Sequence, residues 1–119
     1  MIRRGEVYLA NLGNVRHTDI GKIRPVLIFQ NDHLNRMVDE ELYGDVIVVP
    51  FSTVLKESDF TIELSSRDRL EKTSTVLCHA VKMIAAKRLL LDRGVLTRLN
   101  DQELEEVEQR VVRAMGIKG

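Results

Sequence analysis

The stretch GKIRPVLIFQND, residues 21–32, decides how the chain folds. Arg24 precedes Pro25, whose ring disfavours the α region at the residue before it, so the arginine is held extended at a strand entrance. Gly21 supplies a flexible lead-in. Val26, Leu27, Ile28 and Phe29 then form a continuous apolar run, short enough for a strand with both faces covered. Gln30, Asn31 and Asp32 stop it. A cation fixed at the mouth of a buried strand suits an anion. An arginine tied to a carboxylate to shape a loop explains the same residues equally well.

Before this stretch, GEVYLANL (residues 5–12) alternates in the manner of a first strand, ended by Asn11, Gly13 and Asn14. The polar segment through Lys22 has neither apolar period and reads as a loop of about ten residues, a length that is often functional in small domains. After it, Asn31 or Asp32 can cap a single helical turn. Residues 37–44 form an acidic excursion closed by Gly44. DVIVVPF (45–51) is strongly β-branched, but Pro50 cannot donate to a ladder and implies an edge or a bulge. Ser52 and Thr53 follow where pairing stops. FTIEL (60–64) is a half-buried strand and SSRDRLEK (65–72) a turn or loop. TVLCH (75–79) is a further strand, with residues 80–84 extending it past a bend. Weaker strand signals at 88–91 and 95–96 flank the turn Asp92-Arg93-Gly94.

The last segment is helical. Asn100 with Glu103 three residues on is a capping pattern, and Leu104, Val107, Val111 and Ala114 or Met115 recur at helical spacing. Acids crowd its first turns and Arg110 and Arg113 its last, as the helix dipole favours, and Gly116 ends it. Short strands with one terminal helix predict a mainly β (α+β) domain, a small, strongly bent β barrel, spanning residues 1–119 as a single unit.

Composition narrows the function classes. The 44% hydrophobic and 30% charged content belongs to a globular chain rather than a disordered one. Eighteen basic residues balance eighteen acidic ones, so the chain lacks the global charge of a strong nucleic-acid binder. Locally the balance is uneven: Arg3, Arg4, Arg16, Lys22 and Arg24 face only Glu6 and Asp19 within residues 1–24, which leaves room for a basic face. Cys78 is the only cysteine, so no intrachain disulfide forms, and no Cys/His cluster suggests a metal or other cofactor. No apolar run reaches membrane-spanning length and the N-terminus has no signal-like stretch, so the expectation is a soluble cytoplasmic protein without membrane contact.

The residues able to carry chemistry are Arg24, Ser52, Thr53, His17, His33 and His79. A serine or threonine after a strand most often turns the backbone. Ser52 lacks the GxSxG context of an acyl-transfer nucleophile. His33 near a cap reads as a surface residue. His17 lies in the loop ahead of Arg24 with a side chain of the type that exchanges protons near neutral pH. His79 ends an apolar strand beside Cys78, where a partly buried, hydrogen-bonded histidine is the plain alternative.

The order RGEVYLANL (4–12), polar loop, GKIRPVLIFQND, DVIVVPFST, a strand near 76–79 and a capped terminal helix resembles the MazF/PemK family of toxin–antitoxin ribonucleases, over nearly the whole chain. The resemblance implies an SH3-like β barrel with short helices and a C-terminal helix, acting as a homodimer. It implies a metal-independent, sequence-selective endoribonuclease on single-stranded RNA, restrained by a cognate antitoxin and reaching operator DNA only through that antitoxin. By position, Arg24 matches the family's motif arginine, and Ser52 and Thr53 match the hydroxyl residues after the third strand. His17 resembles a loop histidine of some PemK-type members. Catalytic roles are thus expected of Arg24, Ser52, His17 and His79, and RNA contacts of Arg16, Lys22, Thr53 and Lys82. Two segments depart from the pattern: Asp19-Ile20 stands where relatives often have Glu-Gln, and Cys78-His79-Ala80 where they often carry an acid or glutamine pair. His79 either replaces an acidic proton carrier or leaves the site weakened. Barrel toxins that inhibit gyrase share the architecture, so a non-catalytic module that binds a protein target, or acts in an antitoxin–operator complex, is the competing expectation.

Overall fold

The structure, a computed structural model, describes residues 1–13, 22–55 and 57–118. Its strands are β1 (Glu6–Asn11), β2 (Ile23–Ile28), β3 (Asp45–Ser52), β4 (Thr61–Leu64), β5 (Ser74–Leu77), β6 (Lys82–Ala85) and β7 (Thr97–Arg98); its α-helices are α1 (Asp32–Asp39) and α2 (Asp101–Met115). All strand pairs are antiparallel, in the order β4-β5-β3-β2-β1-β7, with β6 also on β3. This is the bent, mainly β architecture that the sequence predicts.

β3 bends the sheet. One edge pairs with β2, while the other pairs with β6 along residues 45–48 and then with β5 at Phe51 and Ser52. Ile47 turns its polar backbone groups towards β2: its N–H donates to Gln30 Oε1 (3.0 Å) and its carbonyl accepts from Phe29 N–H (3.1 Å). Strand alternation therefore turns the nitrogen of Pro50 to the opposite edge, into the gap between the β6 and β5 partners. The missing donor costs no ladder bond there, and the proline marks a corner.

Both faces of the sheet are covered, as the apolar run in β2 implies: Val26, Leu27 and Ile28 are fully buried. Val7, Leu27, Val49 and Phe51 point to one side, where Leu104, Val107 and Val111 of α2 cover them. Tyr8, Ala10, Val26, Ile28, Val46 and Val48 point to the other, packed with Ile2, Ile84 and Leu89. Each Val, Leu, Ile or Phe among them contributes roughly 1.5–3 kcal/mol when buried.

Polar pins complete the frame. α2 begins with the expected capping box between Asn100 and Glu103, and Gly116 at φ +75° ends it in the left-handed region. Glu103 also receives Arg67 at 2.6 and 2.9 Å, which ties the turn between β4 and β5 to the helix. The buried Glu6 carboxylate accepts Arg3 N–H, the Tyr8 hydroxyl and the Arg98 guanidinium, joining β1 to β7. Burial, and then the bond to Glu6, push the Tyr8 phenol up to about 12.

Three local expectations are corrected. The single turn after Asn31 is the eight-residue helix α1, on which Leu34, Met37 and Val38 recur at helical spacing with Val38 against the core, and whose buried residue Asn35 accepts from Gln30 Nε2 at 2.9 Å through Oδ1. The strand expected over 75–79 stops at Leu77, and Cys78–Ala80 is a 3-10 turn before β6. Of the two weak signals, 88–91 is no strand but the junction of two 3-10 turns with a lone bridge from Leu89 to Ala10, and 95–96 is realised two residues later, as β7.

Candidate functional site

Arg24 lies in β2 opposite Ala10 of β1. Pairing of β2 with β3 begins only at Val26–Pro50; continuing that register by two residues brings Arg24 opposite Ser52. Alternation along each strand puts Arg24 on the side of Val26 and Ile28, and Ser52 on the side of Val46 and Val48, which is one and the same face of the sheet. Both residues are half-buried. Among the described residues, none forms a hydrogen bond or ion pair with the Arg24 guanidinium, so no described carboxylate tethers it.

The Ser52 hydroxyl accepts the Val54 N–H at 3.1 Å. This is the backbone-turning role expected of a serine after a strand, and it orients the side chain while leaving the hydroxyl proton free to donate. Ser52 also lines a groove of about 410 Å³ together with His79. Val54, Phe60 and Leu77 give this groove an apolar wall, and Ser58 and Thr61 add hydroxyls. His79 is exposed, carried by the 3-10 turn, and forms no hydrogen bond with described residues; the buried, bonded alternative is not the one observed. The same turn points its neighbour inward. Cys78 is fully buried with Sγ 3.8 Å from the Val76 carbonyl, and burial pushes its thiol up to about 11, which removes it as a thiolate nucleophile or ligand near neutral pH.

Thr53, one residue on, faces the other way. It lines a second groove, of about 720 Å³, with Ile23, Pro25 and the turn around Arg69. Lys82 opens β6 opposite Val48 and is exposed, on the Arg24–Ser52 face by alternation. Lys22 is exposed just before β2, where its carbonyl accepts the Leu12 N–H at 2.8 Å. Arg16 and His17 lie outside the described residues. His33 is an exposed residue of α1, 3.4 Å from Arg36, as a surface histidine should be.

The groove residues Ser58, Phe60 and Thr61 were not singled out from the sequence. FTIEL reads as a strand with Phe60 inward, but β4 starts at Thr61, and Phe60 stands half-buried just ahead of it. The groove combines an oriented hydroxyl and an imidazole beside an apolar wall, and Arg24 is on the Ser52 face by strand alternation without lining the groove, a set that suits a ligand with an anionic group and a flat apolar one. Among the described residues no group of three or more His, Cys, Asp or Glu could hold a metal ion, and no helix is long and apolar enough to cross a membrane.

Known proteins resemble the chain over most of its length. Residues 3–115 match the family described as PemK-like, MazF-like toxin of type II toxin–antitoxin system. The chain is 33% identical over 121 aligned positions to Endoribonuclease MazF of Staphylococcus saprophyticus subsp. saprophyticus, with 98% of this chain and 93% of that protein covered. Among solved structures, an endoribonuclease in complex with its cognate antitoxin from a mycobacterial species superposes with TM-score 0.77 at 20% identity, covering 100% of this chain and 99% of the other. A MazE–MazF structure from Deinococcus radiodurans gives TM-score 0.74 at 18% identity, with 98% of each chain covered. These structures share the fold.

Proposed function

The chain belongs to the PemK-like, MazF-like toxin family of type II toxin–antitoxin systems, and from that premise we propose that it is a cytoplasmic endoribonuclease. It cleaves single-stranded RNA at preferred short sequences without a metal ion, acts as a homodimer and is neutralised by a cognate antitoxin, through which alone it meets operator DNA. The observation that supports the reading is the β2–β3 register, which ends at Val26–Pro50 and, carried on by two residues, sets Arg24 across from Ser52 on one face of the sheet.

The chemistry follows from the side chains. The RNA 2′-oxygen attacks the adjacent phosphorus, a new O–P bond forms, and the bond to the 5′-oxygen breaks, leaving a 2′,3′-cyclic phosphate and a 5′-hydroxyl. Arg24, without a described carboxylate partner, offers a two-pronged donor to the phosphoryl oxygens as negative charge builds. Ser52, held by the Val54 amide, donates its hydroxyl proton to the same phosphate and so orients it. Two protons move, one from the 2′-hydroxyl and one to the departing 5′-oxygen. His79 in the Ser52 groove carries one and His17 the other. The apolar wall of that groove receives a base. Arg16, Lys22, Thr53 and Lys82 contribute phosphate contacts.

The test is an incubation of single-stranded RNA with the purified chain in excess EDTA, beside the same sequence as DNA. Cleaved RNA with cyclic-phosphate ends and intact DNA are expected. Intact RNA across varied sequences, from a folded protein, would transfer the site to a non-catalytic binding role.

A further inference from the structure

Two grooves flank the Ser52–His79 groove, and their charges are opposite. The one that shares Ser58 and Thr61 with it is lined, among the described residues, by Glu57, Asp59 and Glu63 against Arg110. The other is reached across the end of β3, because Ser52 lines the central groove and Thr53, the next residue, lines this one. Here Arg69, Lys72 and Arg93 are exposed, and no described residue forms an ion pair with them. Its acids are Asp68, which accepts the Thr97 hydroxyl at 2.7 Å, and Glu71. Among its described lining residues this groove has three cations against two acids, whereas the Glu57–Asp59–Glu63 groove has three acids against one cation. Gly94, at φ +74°, lies beside one of these cations: a Cβ there would stand 2.7 Å from Arg69 Nη1. Leu9, Ile23, Pro25 and Leu96 give the same groove an apolar floor.

A polyanion leaving the central groove meets repulsion on one side and unpaired cations on the other. We propose that the flank of a single-stranded RNA substrate leaves over the end of β3 and lies along the Arg69–Lys72–Arg93 groove. This rests on the ribonuclease reading and gives the substrate a direction: the strand passes from the Arg24–Ser52 face to the opposite face around Thr53, and away from Glu57, Asp59 and Glu63.

The test compares the native chain, an Arg69→Ala/Lys72→Ala/Arg93→Ala variant, its Arg69→Lys/Arg93→Lys counterpart and a Glu57→Gln/Asp59→Asn/Glu63→Gln variant. Each is assayed on a long RNA and on a short one that spans only the cleaved position. For the alanine variant KM on the long RNA should rise about tenfold with kcat held, and the slope of log K against log salt should fall by about 2, the loss of three phosphate contacts. The short RNA should be cleaved as before. The lysine variant should keep most of the affinity, and the acid-groove variant should lose none. Unchanged KM on long RNA beside normal cleavage of the short one would overturn the groove assignment and leave the ribonuclease reading standing. Loss of polyglutamate binding without loss of RNA binding would assign the groove to an acidic peptide instead, against the proposal. A native chain that cleaves neither RNA would overturn both.

Discussion

Arg67→Ala releases the turn that presents the cationic groove, and its cost can be worked from the bonds it removes. The guanidinium reaches both Glu103 oxygens at 2.6 and 2.9 Å, Thr97 Oγ1 at 3.0 Å and the Arg98 carbonyl at 2.7 Å. An exposed ion pair is worth about 0.2–1 kcal/mol, whereas bonds to charged groups contribute about 1.5–3. The side chains of Arg67 and Glu103 are 30% and 26% exposed, so solvent screens part of this bidentate pair. The expected loss is about 2 kcal/mol, or roughly 8 °C in melting temperature for a domain of this size. Urea unfolding followed by circular dichroism measures it. A double-mutant cycle with Glu103→Gln, which retains an oxygen for the Asn100 amide, isolates the pair and should return a coupling of about 1 kcal/mol. Acid supplies a second readout. Arg67 first, and then the Asn100 amide, hold the Glu103 carboxyl below its ordinary value of 4.5. Unfolding restores that value, so between the two the unfolded chain binds the extra proton. The stabilisation is therefore complete above about pH 5 and is lost as pH falls through the native value. Arg67, raised from an already high value by Glu103, stays protonated throughout. In Arg67→Ala this part of the acid sensitivity should shrink. Additive single mutants with an unchanged acid limb would refute the reasoning.

Other perturbations test separate parts of the structure. Cys78, buried with its thiol at about 11, should resist DTNB at pH 8 in the folded chain and react on unfolding; prompt labelling of the native protein would contradict its placement. Phe51→Ala empties a fully buried site between the sheet and α2 and should cost about 3–5 kcal/mol in the same urea assay. In pH–rate profiles of cleavage, His79→Ala and His17→Ala should each remove one titrating limb; unchanged profiles in both would end the proton-transfer roles given to them.

The sequence revealed the elements whose signals are local. The β-branched run of β2 and β3, the Asn100–Glu103 capping box and Gly116 each act over a few residues, and each appears where expected. What was hidden depends on distant partners. Pro50 looked like an edge residue, but it sits where β3 changes partner from β6 to β5, a fact written in neither neighbour alone. α1 runs beyond a single turn, with Val38 packed on the core and Asn35 anchored by Gln30. Arg67 and Glu103 lie 36 residues apart, and nothing in either segment names the other. The same holds for the site. Arg24 and Ser52 were legible as motif residues, whereas Phe60, Ser58 and the groove they form with His79 needed the fold of the 53–60 segment.

The account stands most directly on Arg24 and Ser52 acting on one phosphate. Single-turnover cleavage of one defined RNA oligonucleotide, in EDTA, by the native chain, Arg24→Ala, Ser52→Ala and the double variant tests that claim. Arg24→Ala should fold with stability within about 0.5 kcal/mol of native and cleave about 10²–10³-fold more slowly. The double variant should lose far less than the product of the two single losses, since groups that act on one transition state are not additive. Multiplicative losses, or cleavage that survives without Arg24, would contradict it.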